Sequence, residues 1–242
     1  MISDLALILN IILQNILYIE VFMLIVIEGL DGCGKSTQIE NIIEKLKLNH
    51  VDFTSIKLPN YNSHSGTVVK EYLEGEYWDT LDDANAYAVS LLYATDRICS
   101  YNSKDGWKND YELHKLVLSD RYTTSNAIFQ TAKLPKSEWD SYLNWLFDTE
   151  YNKVGLPKPD ITIFLDVPIE ISQKLMSNRY NGDETKKDLH EANTAYLQRC
   201  REAALYVANK FNWQIISCVE GDEMLPIDVI TDKIYSYIEK LV

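Results

Sequence analysis

The sequence predicts an α/β fold in which five parallel strands carry helices on both faces. Three observations predict it. Gly29-Leu30-Asp31-Gly32-Cys33-Gly34-Lys35-Ser36-Thr37 reads G-x-x-x-x-G-K-S and stands between a β-branched run and a stretch with apolar residues at helical spacing. Short apolar runs then alternate with longer helical stretches, the pattern of a parallel sheet covered on both sides. Charged and turn-forming residues collect just beyond the carboxyl ends of those runs, where sheets of this kind bind ligands.

Leu24-Ile25-Val26-Ile27 is the first strand, apolar on both faces as a central parallel strand requires. The glycines after it let backbone N–H groups approach a polyphosphate. Lys35 then reaches the β- and γ-phosphates, and the Ser36 hydroxyl is placed to ligate Mg²⁺. Ile39, Ile42, Ile43 and Leu46 form the apolar face of the first helix, whose N-terminal dipole favours an anion. Phe53-Thr54-Ser55-Ile56-Lys57 is the second strand, broken by Leu58-Pro59-Asn60-Tyr61. A short helix over about 67–73 follows. Asp82 or Asp83 caps a longer one, with Tyr87, Ala88, Leu91, Leu92, Ile98 and Cys99 on its core side and Arg97 near its end. Leu116-Val117-Leu118-Ser119 is the third strand and closes with Asp120-Arg121-Tyr122. Helices begin near 123 and 137. Lys158-Pro159-Asp160 leads into a fourth strand, Ile161-Thr162-Ile163-Phe164-Leu165, with Pro168 opening the next helix. The stretch 177–187 is polar and charged. A long helix over 188–209, a fifth strand at Gln214-Ile215-Ile216-Ser217 and a closing helix over 227–241 complete the chain.

A chain of 242 residues suits one α/β domain, and its net charge of −13 argues against nucleic acid as a partner, since no basic stripe is present to neutralise phosphates. An acidic protein that binds nucleotides must concentrate its few cations at the site. Cys33, Cys99, Cys200 and Cys218 show neither disulfide nor zinc spacing, as expected of a reducing cytosol. Cys33 lies inside the glycine loop, where it reads as a small side chain that fits, with a loop-stabilised thiolate as the other reading. Residues 1–22 are rich in Ile and Leu, yet Asn10, Gln14, Asn15 and Glu20 interrupt them and leave no clean membrane span. No Lys or Arg precedes Lys35, so neither a secretory nor a transit signal is present. Met23, directly before the first strand, is the expected start of the fold. Residues 1–22 are expected to add nothing to it, and 23–242 to form a single domain.

With these pieces placed, the chain from Met23 onward resembles thymidylate kinase. Ile27-Glu28-Gly29-Leu30-Asp31-Gly32-Cys33-Gly34-Lys35-Ser36-Thr37-Gln38, Leu91-Leu92-Tyr93-Ala94-Thr95-Asp96-Arg97, Asp120-Arg121-Tyr122-Thr123-Thr124-Ser125-Asn126-Ala127 and Pro159-Asp160 before Phe164-Leu165-Asp166-Val167-Pro168 carry the resemblance. Its downstream part, including Gly155-Leu156-Pro157-Lys158-Pro159-Asp160 and Asp188-Leu189-His190-Glu191, is most similar to a bacterial branch seen in Bacteroides relatives. The resemblance implies the nucleoside monophosphate kinase fold with its phosphate-binding loop, a lid over about 177–187, a cytoplasmic homodimer, and transfer of the γ-phosphoryl of ATP to dTMP with Mg²⁺. It implies ATP contacts along the loop from Gly29 to Thr37. Asp31 would meet the sugar 3′-hydroxyl of dTMP, Tyr93 would stack on thymine and Arg97 would hydrogen-bond the base. Ser125 and Asn126 would line the same pocket, Tyr61 would touch phosphate or sugar, and Arg121 would hold the acceptor phosphate. Asp120 and Ser36 would place Mg²⁺, partly through water. Glu191 aligns with an acidic residue near the acceptor.

Two departures matter. Some relatives carry Arg where Gly32 stands; in the other type the lid supplies the cation, and Arg179, with Lys186 and Lys187, is available for it. Many relatives also read Phe-Pro-Arg where this chain has Leu58-Pro59-Asn60, and Lys57 is placed to restore that charge, though as a point charge rather than a fork. The alternatives are a kinase of another deoxynucleoside or nucleoside monophosphate, and a degenerate nucleotide-binding homologue.

Overall fold

A computed structural model describes residues 23–80, 83–179 and 193–241, without the side chain of Arg179. Five strands, β1 (Met23–Gly29), β2 (Phe53–Lys57), β3 (Leu116–Asp120), β4 (Ile161–Asp166) and β5 (Gln214–Ser217), make one sheet in the order β2-β3-β1-β4-β5. Every pairing in it is parallel. All seven residues of β1 are buried, which explains why its run is apolar without alternation.

The helices are α1 (Lys35–Leu48), α2 (His64–Leu73), α3 (Ala86–Asn102), α4 (Lys108–Glu112), α5 (Thr123–Phe129), α6 (Trp139–Phe147), α7 (Ile169–Arg179), α8 (Thr194–Lys210) and α9 (Ile227–Ile238). Alternate residues of β1 feed opposite faces of the sheet. Met23, Ile25 and Ile27 pack with Ile39, Ile42 and Leu46 of α1 and Ile230, Ile234 and Ile238 of α9. Leu24 and Val26 turn the other way, toward Tyr101, Trp107 and Tyr122. The chain runs outward from β1 to β2, returns through β3, then crosses β1 to build β4 and β5. The carboxyl end of β1 is therefore the switch point of the sheet.

Several boundaries differ from the sequence expectation. The short helix starts at His64, because the Ser63 hydroxyl accepts from the Gly66 N–H and caps it. The cap of α3 is Asn85, which accepts from the N–H groups of Tyr87 and Ala88. Asp83 is instead taken up by the Thr80 hydroxyl, and Asp82 lies outside the described residues. The core side of α3 also differs. Leu91 and Cys99 are exposed, whereas Val89, Ser90, Ala94, Asp96 and Arg97 are buried. The long helix is described from Thr194, with Asn193 as its cap, and the closing helix ends at Ile238. Sequence periodicity did not reveal α4, a π-helical turn over Asp148–Lys153, or the antiparallel pair β6 (Val219–Glu220) and β7 (Glu223–Met224).

Candidate active site

The glycine loop leaves β1 at the switch point and enters α1. Gly32 and Gly34 adopt φ of 77° and 83°, the left-handed region that glycine occupies without penalty. A side chain at Gly32 would in addition meet Met176 Cγ and the Ser172 carbonyl, each at 2.6 Å. Cys33 is buried, and its sulfur lies where a Cβ on Gly29 would stand, at 2.5 Å. Burial pushes the thiol pKa up despite the nearby charges of Lys35 and Arg121. Burial thus favours the neutral thiol, and Cys33 fills that gap. Ser36 is exposed in the first turn of α1, where free N–H groups and the dipole favour phosphate.

Lys35 extends to Asp120 at the end of β3, Nζ to Oδ1 at 3.4 Å. Lys57, at the end of β2, reaches the other oxygen of the same carboxylate at 3.8 Å. Parallel pairing produces this meeting, since Lys57 lies in register with Asp120 and Ile27 does so on the other side. Asp120 Oδ1 is buried and accepts no hydrogen bond, its Lys35 partner standing at ion-pair distance, so a lone pair is left for a cation-bound water. Together with Ser36, that is a fit to Mg²⁺ held mainly by substrate phosphates. Among the described residues no cluster of three or more His, Cys, Asp or Glu could hold a metal by itself.

Arg121 follows directly. It is a non-glycine residue with φ of 68°, and strain of this kind concentrates where function fixes the backbone. Its guanidinium donates to Asp31 Oδ1 at 2.5 Å and to the Gly29 carbonyl at 3.2 Å, and lies over the Phe129 ring. Burial opposes its charge most strongly, yet Asp31, Glu28 and Asp120 together raise its pKa, so it stays a cation. Glu28, fully buried, accepts from the Tyr122 N–H, the Thr124 hydroxyl and the Ser125 hydroxyl. Burial raises its pKa, against the lowering effect of Arg121 and the hydroxyls.

A pocket opens beside this cluster. Asp31, Pro59, Tyr61, Tyr93, Arg121, Ser125 and Asn126 line it, joined by Leu73, Phe129 and Gln130. A narrower recess continues past Tyr93 and Ser125 to Arg97. All the acceptor-site residues expected from sequence are thus brought to one cleft, with Arg97 at its floor. Arg97, expected to hydrogen-bond the base, is already held by a carboxylate. It is 3% exposed and gives Nε and Nη2 to Glu150, at 2.7 and 2.5 Å. The Arg179 side chain, the greater part of the expected lid and Glu191 lie outside the described residues.

Sequence reasoning missed four members of the site. Glu28 and Glu150 are buried carboxylates that hold its cations. Asp96 is buried and accepts from the Asn60 N–H and the hydroxyls of Ser63 and Ser65, pinning the turn that carries Tyr61. Gln130 lines the pocket with a buried Oε1 that has no hydrogen-bond partner. Charged residues inside otherwise apolar strands and helices are the available signal, since such groups are buried only when paired. A roomier cavity of about 580 Å³ lies at the far end of the sheet, around the starts of β4 and β5, away from the loop.

The comparisons agree with this geometry. The family model described as Thymidylate kinase matches residues 27–224. The chain belongs to the thymidylate kinase family. Membership makes it a nucleoside monophosphate kinase, a phosphotransferase built on the phosphate-loop fold. It is 30% identical over 179 residues to the thymidylate kinase of Mycobacterium tuberculosis H37Rv, covering 73% of this chain and 81% of that one. A probable thymidylate kinase of Thermococcus onnurineus is 31% identical over 212 residues, 86% of this chain and 95% of its own. The thymidylate kinase of Plasmodium falciparum is 28% identical over 176 residues, 69% and 73% of the two chains. No helix among the described residues is long and apolar enough to cross a membrane.

Proposed function

We propose that this chain transfers the γ-phosphoryl of ATP to dTMP, giving dTDP and ADP, in the cleft between the glycine loop and the pocket of Tyr93, Asn126 and Gln130. The observation that carries the reading is Arg121. It points a half-buried, permanently charged fork into the space between the donor loop and the acceptor pocket, where a monophosphate must lie for in-line transfer.

The roles follow from place and charge. Backbone N–H groups from Gly29 to Thr37 and the Lys35 ammonium hold the ATP phosphates. Ser36 and Asp120 would hold Mg²⁺, which draws charge from the transferring group when bound. Arg121 grips the acceptor phosphate, which competes for it with Asp31. Asp31, once released, accepts from the sugar 3′-hydroxyl. Tyr93 supplies the face on which the base lies, Arg97 and Asn126 meet the base edge, and Tyr61 closes the mouth. Lys57 stands beside Lys35 on the Asp120 carboxylate and supplies the cation that Asn60 lacks. Arg179 closes from the lid. The working unit is residues 23–242 as a cytoplasmic homodimer of the bacterial, Bacteroides-like branch.

ADP release with Mg²⁺ and ATP, measured against dTMP, dUMP, dCMP, dGMP, AMP and thymidine, tests the reading. Turnover with dTMP well above the rest is expected. Preference for thymidine or another monophosphate would keep the kinase and overturn the acceptor. ATP binding without turnover on any acceptor would mark a degenerate homologue.

A further inference from the structure

Glu150 stands on the π-helical turn over Asp148–Lys153, outside every motif that carries the family resemblance, and is 1% exposed. Its carboxylate is filled by residues of the acceptor pocket. Oε2 accepts from Arg97 Nε at 2.7 Å and from the Thr123 hydroxyl at 2.6 Å. Oε1 accepts from Arg97 Nη2 at 2.5 Å and from Asn126 Nδ2 at 3.4 Å. Two consequences follow from the donor inventory. Of the five guanidinium hydrogens, the two on Nη1 and the second on Nη2 are left over from Glu150, and Nη1 makes a long contact of 3.5 Å to the Tyr122 carbonyl. The Asn126 amide directs its hydrogens to Glu150 and to the Ser90 carbonyl, at 3.1 Å, so the atom it offers the pocket is Oδ1.

We propose that Glu150 is a positioning residue that fixes the hydrogen-bonding polarity of the base end of the acceptor pocket, with Arg97 as donor and Asn126 Oδ1 as neighbouring acceptor. The proposal rests on the acceptor reading above. A donor beside an acceptor complements a ring carbonyl next to a ring N–H, the edge shown by thymine and uracil. Cytosine shows an amino group next to a bare ring nitrogen, so each of its groups meets its own kind. Turning the Asn126 amide over would give the cytosine ring nitrogen a donor and leave only its amino group opposed, to Arg97, but it would set Oδ1 against the Glu150 carboxylate and the Ser90 carbonyl. Glu150 forbids that turn, and discrimination arises from a residue that never touches the base.

Steady-state kinetics with dTMP, dUMP and dCMP on the wild type, Glu150→Gln and Glu150→Asp tests this. The glutamine places an amide where only an acceptor stood. The aspartate keeps the charge beside Arg97 but withdraws it by one methylene. In both variants kcat/KM for dTMP should fall by about tenfold, the scale of one hydrogen bond to a charged group. The rate with dCMP should hold or rise, so that the dTMP-to-dCMP ratio narrows while KM for ATP stays unchanged. A purely structural role would lower the melting temperature and every rate together, leaving the ratio intact. An intact ratio in either folded variant overturns the proposal, and if the glutamine variant fails to fold the aspartate decides alone. Absence of dTMP turnover in the wild type would overturn the acceptor reading itself.

Discussion

Arg121 donates to Asp31 across 2.5 Å, tying the residue after β3 to the middle of the glycine loop 90 positions earlier in the chain. The contact fixes the Arg121 guanidinium against the loop, on the wall of the pocket that we propose takes the acceptor. Arg121→Lys should keep the fold and lose the fork. We expect kcat/KM for dTMP to drop by about 10²-fold or more, as for loss of a transition-state donor, with KM for ATP little changed. Arg121→Ala should also leave Glu28 buried without its nearest cation and destabilise the protein by about 3–5 kcal/mol, read by urea denaturation.

Gln130 separates stability from recognition. Its Oε1 is buried in the pocket without a partner, so the unliganded protein carries the cost of desolvating it. Gln130→Leu should be neutral or stabilising by up to about 1 kcal/mol, yet raise KM for dTMP by about tenfold. A variant that melts lower and binds dTMP normally would remove Gln130 from the site.

Lys57 is 69% exposed, and its contact with Asp120 is worth little to the fold. In Lys57→Ala the melting temperature should stay within a degree or two, while the phosphate role proposed for this charge predicts that kcat falls by about tenfold. Combining Lys57→Ala with Asn60→Arg should recover part of the rate if a cation from this turn is what the reaction uses.

The pH dependence of stability carries a signature of Glu28. Burial raises its folded-state pKa above the ordinary value of about 4.5. The folded protein then binds a proton that the unfolded chain has already released. This contribution to stability is complete below pH 4.5 and is lost as pH rises through the raised folded value. The stability difference between wild type and Glu28→Gln, followed by urea melts from pH 4 to 8, should fall over that window and then level off. A flat difference would place the Glu28 pKa at its unfolded value.

Residues 1–22 offer a simpler experiment. A protein beginning at Met23 starts on β1 with every strand intact and should fold, remain soluble and turn over dTMP at the full-length rate. Failure to fold would give the preceding segment a structural role.

How far sequence alone reached depends on the range of the forces involved. Strand β2 and strand β5 match their expected spans, β3 and β4 run one residue further at the carboxyl end, and β1 extends at both ends, because β-branched runs and glycine turns act locally. The loop, Lys35, Asp120 and Arg121 were legible for the same reason. The buried side of α3 was not. Apolar spacing pointed to Leu91 and Cys99, whereas the helix buries Ser90, Asp96 and Arg97. Those three find partners in Tyr142, the Ser63–Ser65 turn and Glu150, up to 53 positions away. A buried polar group is decided by what lies across from it in space, and hydrophobic periodicity holds no record of that. Glu28 and Glu150 were missed for this reason, and the base end of the pocket was the least readable part of the site.

Gly32 bears on how such an enzyme can change over generations. The function proposed above takes its closing cation from beyond α7, and an arginine at this loop position would be a second way to supply one. Here the missing side chain is what lets Ser172 and Met176 of α7 close to within 2.6 Å of where a Cβ would stand. An arginine arriving alone would collide with α7 in a backbone geometry that strains any residue but glycine, while the cation proposed to come from beyond α7 was still in use. The two designs are thus separated by a valley: the helix has to retreat before the new charge is useful, and the old charge cannot be given up until it is.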